Sequence, residues 1–323
     1  MKFIDLFAGI GGFHLGLHNI GGECVFVSEW DDKARITYEE NFKTISPKVF
    51  ETGLFSKGVN LFEGDITKVD EKNIPKFDIL CAGFPCQPFS NAGLKKGFED
   101  SRGTLFFDVS RIIKHHKPKV VFLENVKGFK NHNKGNTFHI VKETLENLGY
   151  KVYAEVLNAK DYGVPQNRER IYILGFLDDV DFKFPKPTKK IKVGDILEKE
   201  VDDKYTLSDK LWAGHQRRKK EHREKGNGFG YSLFDENSEY TSTISARYYK
   251  DGSEILIKQK NKNPRKLTPR EAARLQGYPE TFEIPVSDTS AYKQFGNSVA
   301  VPVIIAIAKE IKKALDSFKD KKL

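Results

Sequence analysis

Three cysteines in 323 residues, Cys24, Cys81 and Cys86, are too few for a disulfide framework and cannot all pair. The chain therefore reads as a protein of a reducing compartment with free thiols. No apolar run is long enough to span a bilayer, and the opening stretch MKFIDLFAGIGG puts Asp5 and a glycine cluster where a signal peptide needs unbroken apolar residues. A cytoplasmic location is expected. Metal-ligand spacing is also missing. His115 and His116 are adjacent, His132, His139, His215 and His222 are scattered, and no H-x-E accompanies a C-x-x-C, so no metal is expected. The G-x-G-x-x-G spacing is absent and no hydride-transfer acid or base stands out, which argues against a nicotinamide dehydrogenase. No internal repeat is visible.

What is present is an excess of positive charge. The formal net charge is +9 and favours a polyanionic partner. Basic residues crowd GHQRRKKEHREKG (Gly214 to Gly226) and LIKQKNKNPRKL (Leu256 to Leu267), with ARYYKDG between them. Either run alone reads as a solvated helix face or loop.

The length allows one large domain and a smaller one. In the first half, FIDLF, CVFVSEW, FDILCAG and KVVFLENV are short, apolar and rich in β-branched or aromatic residues, as buried strands are. Helical patterns separate them, in DDKARITYEENF and from Gly103 to His116, where Leu105, Phe106, Val109, Ile112 and Ile113 share a face. This alternation predicts an α/β fold with a doubly wound parallel sheet. KVYAEVLNA and RERIYILGF then read as an antiparallel pair at one end of it. From about Pro185 to Lys266 the chain turns polar and basic, with short strand candidates such as YTSTISARYY and SEILIK, and predicts a second, irregular domain. Helix returns in TPREAARLQG, with Thr268 as N-cap and Pro269 at the first helical position, and again from about Val299 to Leu315.

The glycine-rich turn DLFAGIGGF, with Gly9, Gly11 and Gly12, follows the first strand and lets the backbone approach a ligand at the carboxyl edge of the sheet. The second strand ends in Glu29, able to accept from both hydroxyls of a ribose, and Trp30, which offers a flat face to an adenine. Asp65 in EGDI suits an exocyclic amine. Three features at successive strand ends point to an adenosine-type cofactor.

At the same edge, GFPCQPFS sets Cys86 between Pro85 and Pro88. A thiol on so stiff a backbone is suited to nucleophilic attack, whereas Cys24 and Cys81 lie within strands and read as core. The next strand ends in ENV, bringing Glu124 and Asn125 to that edge. A desolvated Glu124 can be held protonated and act as an acid. In QNRERIY, Arg168 and Arg170 occupy alternating positions and are expected on one face of a strand.

In order and spacing, DLFAGIGGF, GFPCQPFS, ENV, QNRERIY, LTPREAARLQGYP and YKQFGNSV resemble the DNA (cytosine-5) methyltransferases of bacterial restriction-modification systems. The resemblance implies a Rossmann-like S-adenosylmethionine-dependent fold. It assigns residues 1–190 and 269–323 to a catalytic domain and 191–268 to a small, mainly β target-recognition domain. S-adenosylmethionine, converted to S-adenosylhomocysteine, would be bound by Phe7, Gly9, Ile10, Gly11, Glu29, Trp30, Asp65, Ile66, Pro85, Leu105, Asn297, Ser298 and Val299. Cys86 would add to C6 of a flipped-out cytosine, Glu124 would assist at N3, Arg168 would hold the base edge, and Arg170 would shape the pocket around Glu124.

The partner implied is double-stranded DNA. The loop from Ser90 to Thr104, with Lys95, Lys96 and Arg102, would close over it. Thr243 would contact the backbone near the flipped nucleotide, and Arg247, Tyr248 and Lys250 would face the major groove, where a guanidinium suits guanine. Asn227 or Phe229, in GNGFGYSLF, would lie near the vacated stack. These segments look like those of members that methylate CC(A/T)GG-type or related CC…GG sites. A cognate restriction endonuclease encoded nearby is implied, with no stable complex, and a monomer suffices because one chain carries every motif. The alternatives are an RNA cytosine-5 methyltransferase of the same fold, acting on tRNA, and a DNA-binding regulator without catalysis, which would not need Cys86, Glu124 and Arg168.

Overall fold

The structure, a computed structural model, describes residues 1–51, 60–85, 105–228 and 230–320, with the backbone alone at 319 and 320. It divides into two units, one made of Met1–Leu157, Glu169–Lys186 and Val303–Leu323, the other of Asn158–Arg168 and Pro187–Pro302. This division groups 269–302 with 191–268, whereas the motif resemblance groups 269–302 with the catalytic domain.

The first unit is built on seven strands: β1 (Lys2–Leu6), β2 (Glu23–Ser28), β3 (Phe62–Glu63), β4 (Ile79–Ala82), β5 (Val120–Val126), β6 (Lys151–Asn158) and β7 (Glu169–Phe176). Their order is β3-β2-β1-β4-β5-β7-β6. The pairs β1–β2, β2–β3, β1–β4 and β4–β5 are parallel, and β7 runs antiparallel to β5. This is the expected α/β fold, a doubly wound sheet with an antiparallel strand toward one end.

Alternation along the strands divides the core into two layers. Ile4, Leu6, Leu80, Ala82, Val121, Leu123, Ile171 and Ile173 point to one face, in a cluster with Phe106, Val109, Ile112 and Ile113 of one helix and Val141 and Leu145 of another. The helices of this unit are α1 (Gly12–His18), α2 (Asp32–Phe42), the single turn α3 (Pro47–Phe50), α4 (Leu105–His116) and α5 (Asn136–Asn147). On the opposite face Phe13 of α1 packs edge-on against Phe122 of β5, with ring centroids 5.0 Å apart. The Asp31 side chain caps α2 by accepting from the amides of Lys33 and Ala34, both at 3.1 Å. The C-terminal helix runs Val301–Asp320, starting two residues later than the apolar pattern suggests and continuing further, with Pro302 in its first turn. No helix among the described residues is long and apolar enough to cross a membrane.

The second unit holds α6 (Asp209–Glu224), α7 (Pro269–Leu275), α8 (Asp288–Asn297) and a three-stranded sheet of β8 (Leu233–Phe234), β9 (Leu256–Gln259) and β10 (Lys262–Arg265), in the order β10-β9-β8. The first basic run lies largely on α6, and the second forms the β9–β10 hairpin. YTSTISARYY is not the strand its composition suggests, because only Thr241 makes a bridge, to Gln166. Its short polar side chains bond locally instead: Thr241 Oγ1 donates to Ser242 O (2.8 Å), and Ser245 Oγ accepts from the Arg247 amide (3.1 Å).

Thr268 caps α7 through a capping box with Glu271. Glu271 is wholly buried and accepts from Arg265 through both carboxylate oxygens, at 2.7 and 2.8 Å. Removing one partner of such a pair strands the other charge in the interior. Glu271→Ala is therefore expected to destabilise the protein by about 3–5 kcal/mol in urea denaturation. A loss below about 1 kcal/mol, the scale of an exposed pair, would show that the pair does not hold this unit together.

Candidate active site

The chain passes from β1 to β2 and β3 on one side and returns to β4 and β5 on the other, so the carboxyl ends of β1 and β4 flank the topological switch point. Open α/β sheets bind ligands there. After β1 the backbone is left-handed at Phe7, Gly9 and Gly11, with φ of 55°, 55° and 84°. A Cβ on Gly9 would meet nothing within 4 Å, whereas one on Gly11 would lie 2.2 Å from the Phe42 ring. Gly11 thus permits the packing of the turn, and Gly9 leaves open space beside it.

Glu29 spans this turn and the next. Its Oε2 accepts from the Gly9 amide and its Oε1 from the Asp31 amide, each at 2.8 Å. Burial raises its pKa and the Asp31 charge adds to that, against the lowering by these amides. Trp30 beside it is 81 % exposed, an unusual position for an indole. Asp65 accepts from the Thr67 hydroxyl (2.7 Å) and amide (3.1 Å), which hold its carboxyl below the usual range and so ionised. Ile66 is buried, Leu105 half-buried at the start of α4, and Ile10 buried in the turn.

Beneath the turn burial disfavours the charged forms. Asp5 is wholly buried, and burial followed by the Glu29 charge pushes its pKa well up. His14, pushed down to about 3 by burial, sits between the Tyr38 hydroxyl at Nδ1 (2.8 Å) and Ser46 Oγ at Nε2 (3.2 Å). An open glycine turn, a carboxylate able to accept, an uncovered indole and an ionised aspartate make a donor and acceptor set that fits an adenosyl group.

At the end of β5, Glu124 pairs in register with Tyr172 and Val126 with Arg170, so Glu124 and Arg170 are diagonal neighbours on one face. Arg170 Nε lies 3.1 Å from Glu124 Oε1, and both side chains are largely buried. Gly83, after β4, lies beside this carboxylate, and a Cβ there would come 3.7 Å from Oε2, an ordinary contact. Asn125 points to the other face and donates to the Phe84 carbonyl at 2.9 Å, fastening the backbone that leads to Pro85. Sequence reasoning placed Asn125 at this edge without finding that task, because a cross-strand partner is not visible in local spacing. Cys86, Ser90, Lys95, Lys96 and Arg102 lie outside the described residues. Pro85, just before them, is exposed, and Cys24 and Cys81 are buried free thiols.

Arg168 is not on a strand, since β7 begins at Glu169, and it does not share the face of Arg170 by alternation. It belongs to the second unit, where its buried guanidinium donates to the carbonyls of Ile244 (3.2 Å), Gly296 (3.2 Å) and Ser298 (2.6 Å). Asn297 is exposed, and Ser298 and Val299 are buried. Thr243 Oγ1 donates to Asn167 O at 2.6 Å. Arg247, Lys250 and Asn227 are exposed, and Phe229 lies outside the described residues. Tyr248 corrects the expectation of a groove-facing ring. It is 0 % exposed, donates to Ile255 O and accepts from the Leu267 amide, both at 2.7 Å, and so is a core residue that supports its exposed neighbours. Gln166 and Gln276, both wholly buried, also escaped notice in the sequence, where glutamine carries no positional signal. Among the described residues no cluster of three or more His, Cys, Asp or Glu side chains could hold a metal ion.

Known proteins match this arrangement along the whole chain. The Type II methyltransferase M.SsoII of Shigella sonnei is 61 % identical, over 98 % of this chain and 81 % of its own. The Type II methyltransferase M.NlaX of Neisseria lactamica is 58 % identical over 100 % and 99 %. Among solved structures, the S. pombe Dnmt2 methyltransferase shares the fold with a TM-score of 0.75 at 21 % identity, covering 98 % of this chain and 99 % of its own. The family description C-5 cytosine-specific DNA methylase matches residues 1–313, and with the sheet, the glycine turn and the Glu124–Arg170 pair it makes this chain a member of the C-5 cytosine-specific DNA methylases.

Proposed function

We propose that the protein is the modification methyltransferase of a Type II restriction-modification system, acting on double-stranded DNA at a CC(A/T)GG-type or related CC…GG site. The observation that carries this is the family match over residues 1–313, joined to the buried Glu124–Arg170 pair at the switch-point edge. The relatives named as Type II methyltransferases, at 61 % and 58 % identity, support the restriction-modification context. Residues 1–190 and 269–323 form the catalytic part and 191–268 the target-recognition part. The protein works as a monomer in the cytoplasm, beside a restriction endonuclease that it does not bind stably.

S-adenosylmethionine, when bound, supplies an electrophilic sulfonium methyl group. Glu29 accepts from the ribose hydroxyls, Trp30 covers the adenine, Asp65 accepts from its amine, and the turn from Phe7 to Gly11 approaches by its backbone. Ile10, Ile66, Pro85 and Leu105 enclose the donor, and Asn297, Ser298 and Val299 also take part in binding it.

Cytosine C5 is too electron-poor to attack such a methyl unaided. The Cys86 thiolate adds to C6 while Glu124 gives a proton to N3, so that the C4–C5 bond becomes enamine-like and C5 nucleophilic. Arg170 holds the Glu124 carboxyl in place. After C5 is methylated a base, water, takes the C5 proton, the electron pair expels Cys86 as thiolate, and N3 returns its proton to Glu124. The base must leave the helix to meet these groups, at about a few kcal/mol of unstacking. Ser90, Lys95, Lys96 and Arg102 close over the phosphates, Thr243 holds the backbone, Arg247 and Lys250 read the groove, and Asn227 or Phe229 faces the gap.

Bisulfite sequencing of plasmid DNA treated with the protein and S-adenosylmethionine is expected to show 5-methylcytosine at CC…GG sites. Cys86→Ala is expected to abolish it while keeping cofactor and DNA binding. Modification at unrelated sequences would sink the site assignment, and turnover by the Cys86 variant would sink the mechanism.

The raised pKa of Glu29 sets a pH dependence. Ribose hydroxyls donate to the ionised carboxylate, so S-adenosylhomocysteine affinity is greatest above the pKa of Glu29 in the free protein and falls as pH drops through it. Glu29→Gln should weaken binding by roughly ten- to a hundredfold and flatten this profile, as read by calorimetric titration across the acidic range. An unchanged pH profile in the variant would remove Glu29 from the ribose.

A further inference from the structure

A buried polar network in the second unit joins the recognition segment to the C-terminal cofactor segment. The Ile244 amide donates to Gln166 Oε1 (3.1 Å), and Gln166 Nε2 donates to Leu275 O (3.0 Å) and Gln276 Oε1 (3.1 Å). Gln276 Nε2 in turn donates to the carbonyls of Phe295 and Ser298. Arg168 closes the circuit, taking the Ile244 carbonyl on Nη1 and those of Gly296 and Ser298 on Nη2. The Tyr278 hydroxyl meets Ser298 Oγ at 2.6 Å.

At Gly296 the two segments approach too closely for a side chain to lie between them. A Cβ on Gly296 would fall 2.3 Å from the carbonyl carbon of Ser245 and 2.4 Å from the Ala246 amide nitrogen, so backbone lies directly on backbone. Close-packed interiors transmit such shifts and do not damp them. On one side of the contact stand Thr243 and Arg247, the latter's amide bonded to Ser245 Oγ at 3.1 Å. Asn297, Ser298 and Val299 stand on the other. Burying a guanidinium is costly, and an apolar plug would fill the same space at less expense if filling it were the only task. A planar fork reaching carbonyls on both segments fixes their relative position, which a plug cannot do.

We propose that Arg168, with Gln166 and Gln276, is a positioning residue that couples cofactor binding to duplex recognition, by holding 244–246 and 296–298 as one piece. The proposal rests on the functional reading above and gives Arg168 a task other than holding the base edge. A shift of 297–299 on cofactor binding is then carried to the recognition segment and sets it in the conformation that meets DNA, and by linkage DNA strengthens cofactor binding by the same factor.

The test is a binding cycle: the Kd of S-adenosylhomocysteine with and without a duplex carrying the site mapped by bisulfite sequencing. The wild-type ratio is expected to be on the order of tenfold, and in Arg168→Lys, which keeps the charge but loses the fork, to fall to within about twofold of unity. Gln276→Met, of similar volume, should lower the ratio in the same direction and decides the matter if the arginine variant does not fold. Variants that weaken both separate affinities yet keep the wild-type ratio would show a merely structural network and overturn the coupling. A wild-type protein that binds both ligands with a ratio of one would overturn it while leaving the functional reading intact. Failure of the wild type to bind either ligand would remove that reading, and the coupling with it.

Discussion

The antiparallel pairing of β7 against β5 is the constraint on which the chemistry depends. A fully parallel strand at that position would present a different end to the carboxyl edge, and Arg170 would be carried away from Glu124. With the observed register, Val126 opposite Arg170 and Glu124 opposite Tyr172, a cation is brought 3.1 Å from a carboxylate where both are largely shielded from water. Such a pair is not chiefly a source of stability, since desolvation offsets much of its attraction. Its value is positional. It holds the carboxyl group beside Gly83, while Asn125 on the other face fastens the Phe84 carbonyl, two residues before Cys86 in the sequence.

The cofactor end shows a different balance. Asp5, Glu29 and Asp65 lie on successive strand ends or turns, and three ionised carboxylates there would repel a second acidic ligand group and one another. The structure grades them by environment. Burial pushes the Asp5 carboxyl well up, two backbone amides oppose the rise that burial causes at Glu29, and Thr67 draws Asp65 down at the surface. His14 underneath stays neutral between two hydroxyls. The turn thus carries acceptors where a ligand can reach them and little net charge where it cannot.

The first unit was largely legible in the sequence, because buried parallel strands are short apolar runs and their ends are where ligands bind. Glu29, Trp30, Glu124 and the glycine turn follow from that rule alone. The recognition segment was not. YTSTISARYY has strand composition, yet its threonines and serines bond to nearby groups and break the ladder, and Tyr248 turns inward because its hydroxyl finds two backbone partners. Arg168 illustrates the limit of periodicity. Alternation with Arg170 holds only if both residues are in the strand, and the strand starts between them. The glutamines that tie 244 to 276 and 298 are far apart in sequence, and their pairing is a property of the folded chain alone.

The proposed mechanism turns on Cys86 attacking a cytosine extruded from duplex DNA. It is tested most directly by incubating the protein with S-adenosylmethionine and a duplex in which the target is 5-fluorocytosine, whose fluorine cannot leave C5 as a proton does. A denaturation-resistant protein–DNA complex is expected that requires the cofactor and disappears in Cys86→Ala. Methylation of ordinary duplex DNA with no trapped complex on the fluorinated one would contradict it.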